Sequence, residues 1–166
     1  MKFSLRNAKS SDLEIALELL KSAATTLAKK NISQWDYWMN PPQGKIIWLK
    51  EGFKRKEFYL IKTSIGKLIG MVRIMDKDLI YWGNMKDKAI YIHSLIIIEE
   101  FKGHKIGQKV IDKIKEKAKK KDIELMRLDC DNRNKKLCKY YENIGFKKMG
   151  EKQLRLGKYN LYEINL

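Results

Sequence analysis

The sequence predicts a mixed α/β fold, a seven-stranded sheet with about four helices packed on its faces. Three observations predict it. The run AIYIHSLIII at Ala89–Ile98 is apolar at both parities, as a central strand covered on both faces should be. Two stretches, Leu13–Leu27 and Ile106–Ala118, carry apolar residues at helical period. Two pairs of β-rich runs, one on each side of Ile106–Ala118 in the chain, are joined by short glycine-containing turns.

The elements follow in order. Residues 2 to 7 read as a short strand with Phe3 and Leu5 on one face. Ser11-Asp12-Leu13-Glu14 has capping-box spacing. Behind it Leu13, Ala16, Leu17, Leu20, Ala24 and Leu27 form one helical stripe, running to about Lys30. Cations sit at the negative end of that helix, and Asn31 can take the left-handed conformation that stops it. Pro41-Pro42 makes a hard break, and residues 43 to 54 read as a second, shorter helix. Glu57–Thr63 and Lys67–Asp76 form a hairpin over Ser64-Ile65-Gly66. The central strand comes next. A helix from about Ile106 to Lys121 buries Ile106, Val110, Ile111, Ile114 and Ala118 and coats its other positions with lysine. Leu125–Asp131 is a strand, Asn134–Asn143 a helix stopped by Gly145, and Phe146–Leu154 with Tyr159–Leu166 a closing hairpin. At 166 residues, with no repeat or linker, the chain reads as a single domain over 1–166.

Composition bounds the function. No apolar run reaches the roughly 18 residues a membrane span needs. The start MKFSLRNAKSSDLE lacks the apolar stretch of a signal peptide, so the expected compartment is the cytoplasm. Cys130 and Cys138 are too few for a disulfide scaffold and match no zinc spacing, so they read as reduced thiols, with no metal expected. The net charge is +16, carried by 30 lysines and 6 arginines. Such a charge concentrates anions, coenzymes and nucleic acids alike. Readers of base edges favour arginine forks, so nucleic acid is not the expected partner. A basic nucleic-acid or ribosome-associated domain stands as the alternative.

One segment carries the chemistry. After Leu95-Ile96-Ile97-Ile98, the turn Lys102-Gly103-His104-Lys105 leads into a helix opening with Ile106-Gly107-Gln108. A strand–turn–helix junction offers free amides and the positive end of a dipole to a phosphate. Lys102–Gly107 resembles the acetyl-CoA pyrophosphate loop of GNAT acetyltransferases, Arg/Gln-x-x-Gly-x-Gly/Ala. Lys102 stands at the Arg/Gln position, Lys105 at the middle glycine and Gly107 at the last. The segment Asn134-x-x-Leu137-x-x-Tyr140-Tyr141-Glu142-x-x-Gly145-Phe146 is similar to a second stretch of the same family, about thirty residues on and in the expected order.

The resemblance implies a GNAT fold, a mostly antiparallel sheet with a splayed central strand pair. It implies an acetyl-CoA-dependent N-acetyltransferase acting by direct transfer in a ternary complex, with a small-molecule or peptide amine as acceptor. A degenerate coenzyme A-binding sensor is a further alternative. The cosubstrate would lie along Leu95, Ile96 and Ile97, the loop Lys102 to Gln108, and Asn134, Leu137 and Tyr140. A backbone N–H near Ile97 would meet the thioester oxygen. Tyr141 corresponds to the tyrosine that often serves as general acid; read alone, it fits core packing better. Asn134 also suits a helix cap. His93, on the central strand, is a candidate base or proton relay, and Asp129 on the neighbouring strand either orients it or merely faces solvent; read alone, His93 fits a satisfied core histidine. Trp35, Trp38 and Trp82 are candidates for an acceptor pocket or for packing. Many relatives dimerise, so a homodimer is an expected form, although no stripe here requires one.

Overall fold

The computed structural model describes residues 2–166. Its strands are β1 (Phe3–Asn7), β2 (Phe58–Thr63), β3 (Leu68–Met75), β4 (Ala89–Ile97), β5 (Leu125–Asp131), β6 (Lys147–Leu154) and β7 (Gly157–Asn165). Its helices are α1 (Leu13–Ala28), α2 (Gln43–Lys54), α3 (Ile106–Lys119) and α4 (Lys135–Asn143). The strands form one seven-stranded sheet in the order β1-β2-β3-β4-β5-β7-β6. Among the described residues no helix is long and apolar enough to cross a membrane.

The chain divides into two compact units, with β4 contributing its first five residues to one and the rest to the other. The first unit comprises the chain up to Ile74 plus Ser94–Ile106. Here β1, β2 and β3 pair antiparallel. Leu20, Leu49, Phe58, Leu60, Met71 and Ile96 share its core. The start of α1 differs from the expected box at Ser11. Residues 10–12 form a 3-10 turn, and the Asp12 carboxylate accepts the Lys9 N–H at 2.7 Å and Arg6 at 2.8 Å. An aspartate holds more firmly than a serine hydroxyl because its bonds are charge-assisted. Asn31 does stop the helix region with φ 57°.

Gly70 fixes the edge of β4 in this unit. A Cβ there would collide with the Ile96 carbonyl. The Ile98 N–H donates to the Ile69 carbonyl at 2.9 Å, which binds the two backbones together. Gly70→Ala is therefore expected to lower stability by about 1–3 kcal/mol, as overpacking does. A fall in the urea midpoint at unchanged slope would show it. An unchanged midpoint would mean the strands can part without cost.

The second unit comprises Met75–His93 and Gly107–Leu166. Strand β4 runs parallel to β5, from Ala89↔Leu125 to Ile92↔Leu128. The closing hairpin folds so that β7, not β6, lies against β5. Its residues explain this order. Tyr159 and Tyr162 of β7 are buried, whereas β6 is mostly exposed and lysine-rich, as suits an edge. The predicted stripe of α3 is buried throughout. Arg127 of β5 is buried too, held by Glu163 and Asp87 at 2.7 Å each and by the Tyr91 hydroxyl at 3.0 Å.

Candidate active site

The backbone changes course at the end of the β4–β5 ladder. Pairing reaches Ile92↔Leu128, yet β4 runs on to Ile97 and β5 to Asp131. Two residues beyond that last pair, Ser94 has φ 49°, a left-handed conformation that a serine adopts at some cost. The strand then gives way to a 3-10 turn over Glu99–Phe101 and an extended Lys102. Gly103 follows at φ 81° and Lys105 at φ 56°. Alternating left-handed residues turn successive amides toward one side, a form that suits anions. Space around Gly103 is open, since an added Cβ would meet nothing within 4 Å. α3 opens directly after Lys105 with no acidic residue in its first turn. These features fit a phosphate-bearing cosubstrate. The Lys102 ammonium is less available than the sequence suggests, because it is ion-paired with Glu99. Lys67 similarly pairs with Glu100 at 2.5 Å.

α4 supplies the second group of candidates. Asn134 caps it, with Oδ1 accepting the Leu137 N–H at 3.2 Å. Leu137 and Tyr140 are half-buried on its surface. Tyr141 is buried, its ring 5.5 Å from Tyr140, 5.8 Å from Phe146 and 6.2 Å from Tyr162. Burial above all, then the neighbouring Cys130, Tyr140 and Asp129, pushes its hydroxyl well above the ordinary tyrosine range. Tyr141 therefore keeps its proton at neutral pH. Cys130 and Cys138 lie nearby as buried thiols, Sγ atoms 3.6 Å apart. Burial raises the Cys130 thiol far from thiolate, which suits no nucleophile.

His93 is the third. It stands one residue past the β4–β5 pairing, and two carboxylates bracket its ring. Nε2 lies 3.0 Å from Asp78 Oδ2, and Nδ1 lies 3.3 Å from Asp129 Oδ1. Asp78 comes from the loop between β3 and β4, and its other oxygen accepts the Tyr81 N–H at 3.1 Å. Its own carbonyl accepts the Trp82 N–H at 3.0 Å. The Tyr81 ring packs 5.6 Å from His93 and 5.2 Å from Tyr159. Asp129 Oδ1 is buried and accepts no aligned hydrogen bond. Burial, helped by the charge of Asp78 and opposed by His93, pushes the Asp129 carboxyl up to about 7. The three groups satisfy a loose distance condition for a metal, with ligand atoms within 4.8 Å of one another. Yet the carboxylates address opposite nitrogens of one ring. An ion on either nitrogen would keep only two protein ligands, fewer than zinc sites use.

Residues 19–146 match the acetyltransferase (GNAT) family. This chain belongs to that family. As a GNAT acetyltransferase it is an acyltransferase that uses acetyl-CoA. A GNAT-family acetyltransferase structure from Listeria monocytogenes is 24% identical, with a TM-score of 0.80 over 99% of this chain and 95% of that one. The PaiA N-acetyltransferase of Thermoplasma acidophilum, solved with coenzyme A, is 20% identical with a TM-score of 0.73 over 100% of both chains. A chimera of the spermidine N-acetyltransferase SpeG from Vibrio cholerae and hSSAT is 16% identical, with a TM-score of 0.69 over 99% of this chain and 96% of that one. At such identities these structures show the shared fold. Among curated proteins no relative matches.

The aromatic candidates of this GNAT acetyltransferase fall into packing positions. Trp38 is a core residue, 3% exposed and 6.0 Å from Trp48, which leaves it little face for a ligand. Trp35 packs against the same core, partly buried. Trp82 lies over the Arg127 guanidinium at 4.8 Å, a cation–π contact within the second unit. Two residues of the His93 array, Asp78 and Tyr81, carried no signal in the sequence. They sit in the loop between β3 and β4, whose return onto β4 no local pattern announces.

Proposed function

We propose that this acetyltransferase moves the acetyl group of acetyl-CoA directly to a primary amine of a small molecule or a peptide N-terminus. The carrying observation is His93 held between two buried carboxylates beside the end of the β4–β5 ladder. An alkylammonium has a pKa of about 10 and must lose a proton before it can attack. His93, together with Asp129, is the group that takes it. Acetyl-CoA supplies the activated acyl group. The amides of Gly103 to Gly107 and the start of α3 would hold its phosphates, and Asn134, Leu137 and Tyr140 its arm. A backbone N–H at Leu95 to Ile97 would stabilise charge on the carbonyl oxygen. Tyr141 donates its hydroxyl hydrogen to the departing sulfur.

The acceptor enters as a cation, and the Asp78 and Asp129 carboxylates make the surroundings of His93 acidic. That charge, with a spermidine N-acetyltransferase among the structural neighbours, puts spermidine at the head of an acceptor panel. Simple monoamines, aminoglycosides and peptide N-termini complete it. The test begins with calorimetric titration of the protein by acetyl-CoA and by its 3′-dephospho analogue. It then follows thiol release across the panel. Micromolar binding that weakens without the phosphate, with release driven by one amine class, is the expected result. No binding at millimolar acetyl-CoA would overturn the proposal.

A further inference from the structure

Three buried polar groups from three separate segments meet at His93: Asp78 from the β3–β4 loop, His93 from β4 and Asp129 from β5. Their side chains are 4%, 15% and 8% exposed, so the ring and both carboxylates are largely shielded from water. The three are not equivalent. Asp78 is anchored, with Oδ1 taking the Tyr81 N–H at 3.1 Å while Oδ2 faces Nε2 at 3.0 Å. A carboxylate so fixed is an acceptor, and an acceptor facing Nε2 holds a proton on that nitrogen. Nδ1 is then the nitrogen whose proton can come and go. Opposite it, at 3.3 Å, stands Asp129 Oδ1, buried and without an aligned hydrogen bond. Two acceptors facing one another in a low-dielectric site repel until a proton arrives.

We propose that Asp78 is a positioning residue of the proton-accepting step. Its carboxylate fixes the Nε2–H tautomer of His93, so that Nδ1 and Asp129 Oδ1 together form the seat for the proton the amine releases. This rests on the acetyl-transfer reading above. The step balances: the ammonium gives its proton to the seat, and the freed nitrogen pair forms the C–N bond. The C–S bond breaks with its electrons on sulfur, which takes the Tyr141 hydroxyl proton; the newly bonded nitrogen gives up its second proton to restore Tyr141, and the seat returns the first to solvent. Asp129 near neutrality agrees with such a seat. The other titratable groups around it are Tyr81 beside His93, and Cys130, Tyr141 and Tyr159 beside Asp129, with Asp131 and Arg133 paired to each other beyond Tyr159.

The sign follows. The seat works as a base only when its proton is off, so turnover rises with pH through its apparent pKa. Asp78→Asn removes a negative charge that favours the proton, and therefore moves this rise to lower pH. It also frees the tautomer and lowers kcat by up to about a hundredfold, within the range that loss of a base costs. The chain has two histidines, His93 and His104. Long-range 1H–15N correlation on labelled protein therefore reads the ring directly, with His104→Gln giving the assignment. Above neutral pH the wild type should show Nε2–H, and Asp78→Asn a shift toward Nδ1–H, because the amide NH2 facing Nε2 is a donor. The asparagine keeps an oxygen for the Tyr81 N–H, so the fold should hold. If it does not, Asp129→Asn decides: the Nε2–H tautomer should persist while the near-neutral rise in rate disappears. An Nδ1–H tautomer in the wild type overturns the proposal. So does an active Asp78→Asn enzyme with unchanged tautomer and profile, or an Asp129→Asn enzyme that keeps the rise; all three leave acetyl transfer standing. A wild-type chain that acetylates no amine overturns the catalytic reading itself, whatever the ring shows.

Discussion

Replacing Tyr141 by phenylalanine is expected to cut turnover by a factor of about 10²–10⁴. Acetyl-CoA affinity should stay within about threefold, since the ring and its contacts remain. The residue sits on α4 with its ring packed against Tyr140, Phe146 and Tyr162. Phenylalanine preserves those contacts and removes only the hydroxyl. The hydroxyl is held above its ordinary range chiefly by burial, so at neutral pH it is a donor and not an anion. A departing thiolate needs such a donor; the bound ground state does not. Loss should therefore fall on kcat and leave binding untouched, the signature of an interaction made in the transition state. Single-turnover kinetics beside calorimetry separates the two. An unchanged rate would remove Tyr141 from the reaction and return it to packing alone.

Gly107→Glu should weaken acetyl-CoA binding at least about a hundredfold, or roughly 2.7 kcal/mol. Gly107 is the second residue of α3, immediately after the turn that carries the left-handed Gly103 and Lys105. A glutamate there favours the helix itself, because a negative charge in the first turn complements the dipole. The same charge competes for the amides a phosphate would use and repels the phosphate besides. The fold should thus be as stable as the parent while the ligand is lost, which separates this outcome from simple unfolding. A thermal melt alongside the titration checks both halves. Retained affinity would place the phosphates elsewhere.

Much of this was legible in the sequence because the signals are local. The stripes of α1 and α3 are set by spacing within one helix; that of α3 is buried as read, and in α1 Ala16, Leu20 and Ala24 are buried while Leu13, Leu17 and Leu27 are half-buried. Strand β5 and helix α2 occupy the expected residues because a proline or a polar turn bounds each. Asn134 caps α4 since its side chain reaches an amide three residues on. The Lys102–Gly107 turn was recognisable for the same reason, as one unbroken stretch of chain. Its departure at Lys105 was visible too, and the structure places that lysine at φ 56°, where glycine is at ease.

Other features depend on residues far apart in the chain. The insertion of β7 between β5 and β6 follows from which strand buries tyrosines against β5, a comparison no single run contains. The left-handed Ser94 has no sequence mark, because it arises where β4 leaves the β5 ladder. Trp38 could be read as pocket or core until α2 brought Trp48 against it. Asp78 is, in the sequence, one loop carboxylate beside Lys77 with no mark of its own. By itself, the sequence determined the elements, the Lys102–Gly107 turn and the family, since each is written in spacing within a short segment. Tertiary structure alone decided that Asp78, fifteen residues before His93, and Asp129, thirty-six after it, close on opposite nitrogens of its ring. Charge and burial at that ring come from three segments meeting, and local sequence has no term for such a meeting.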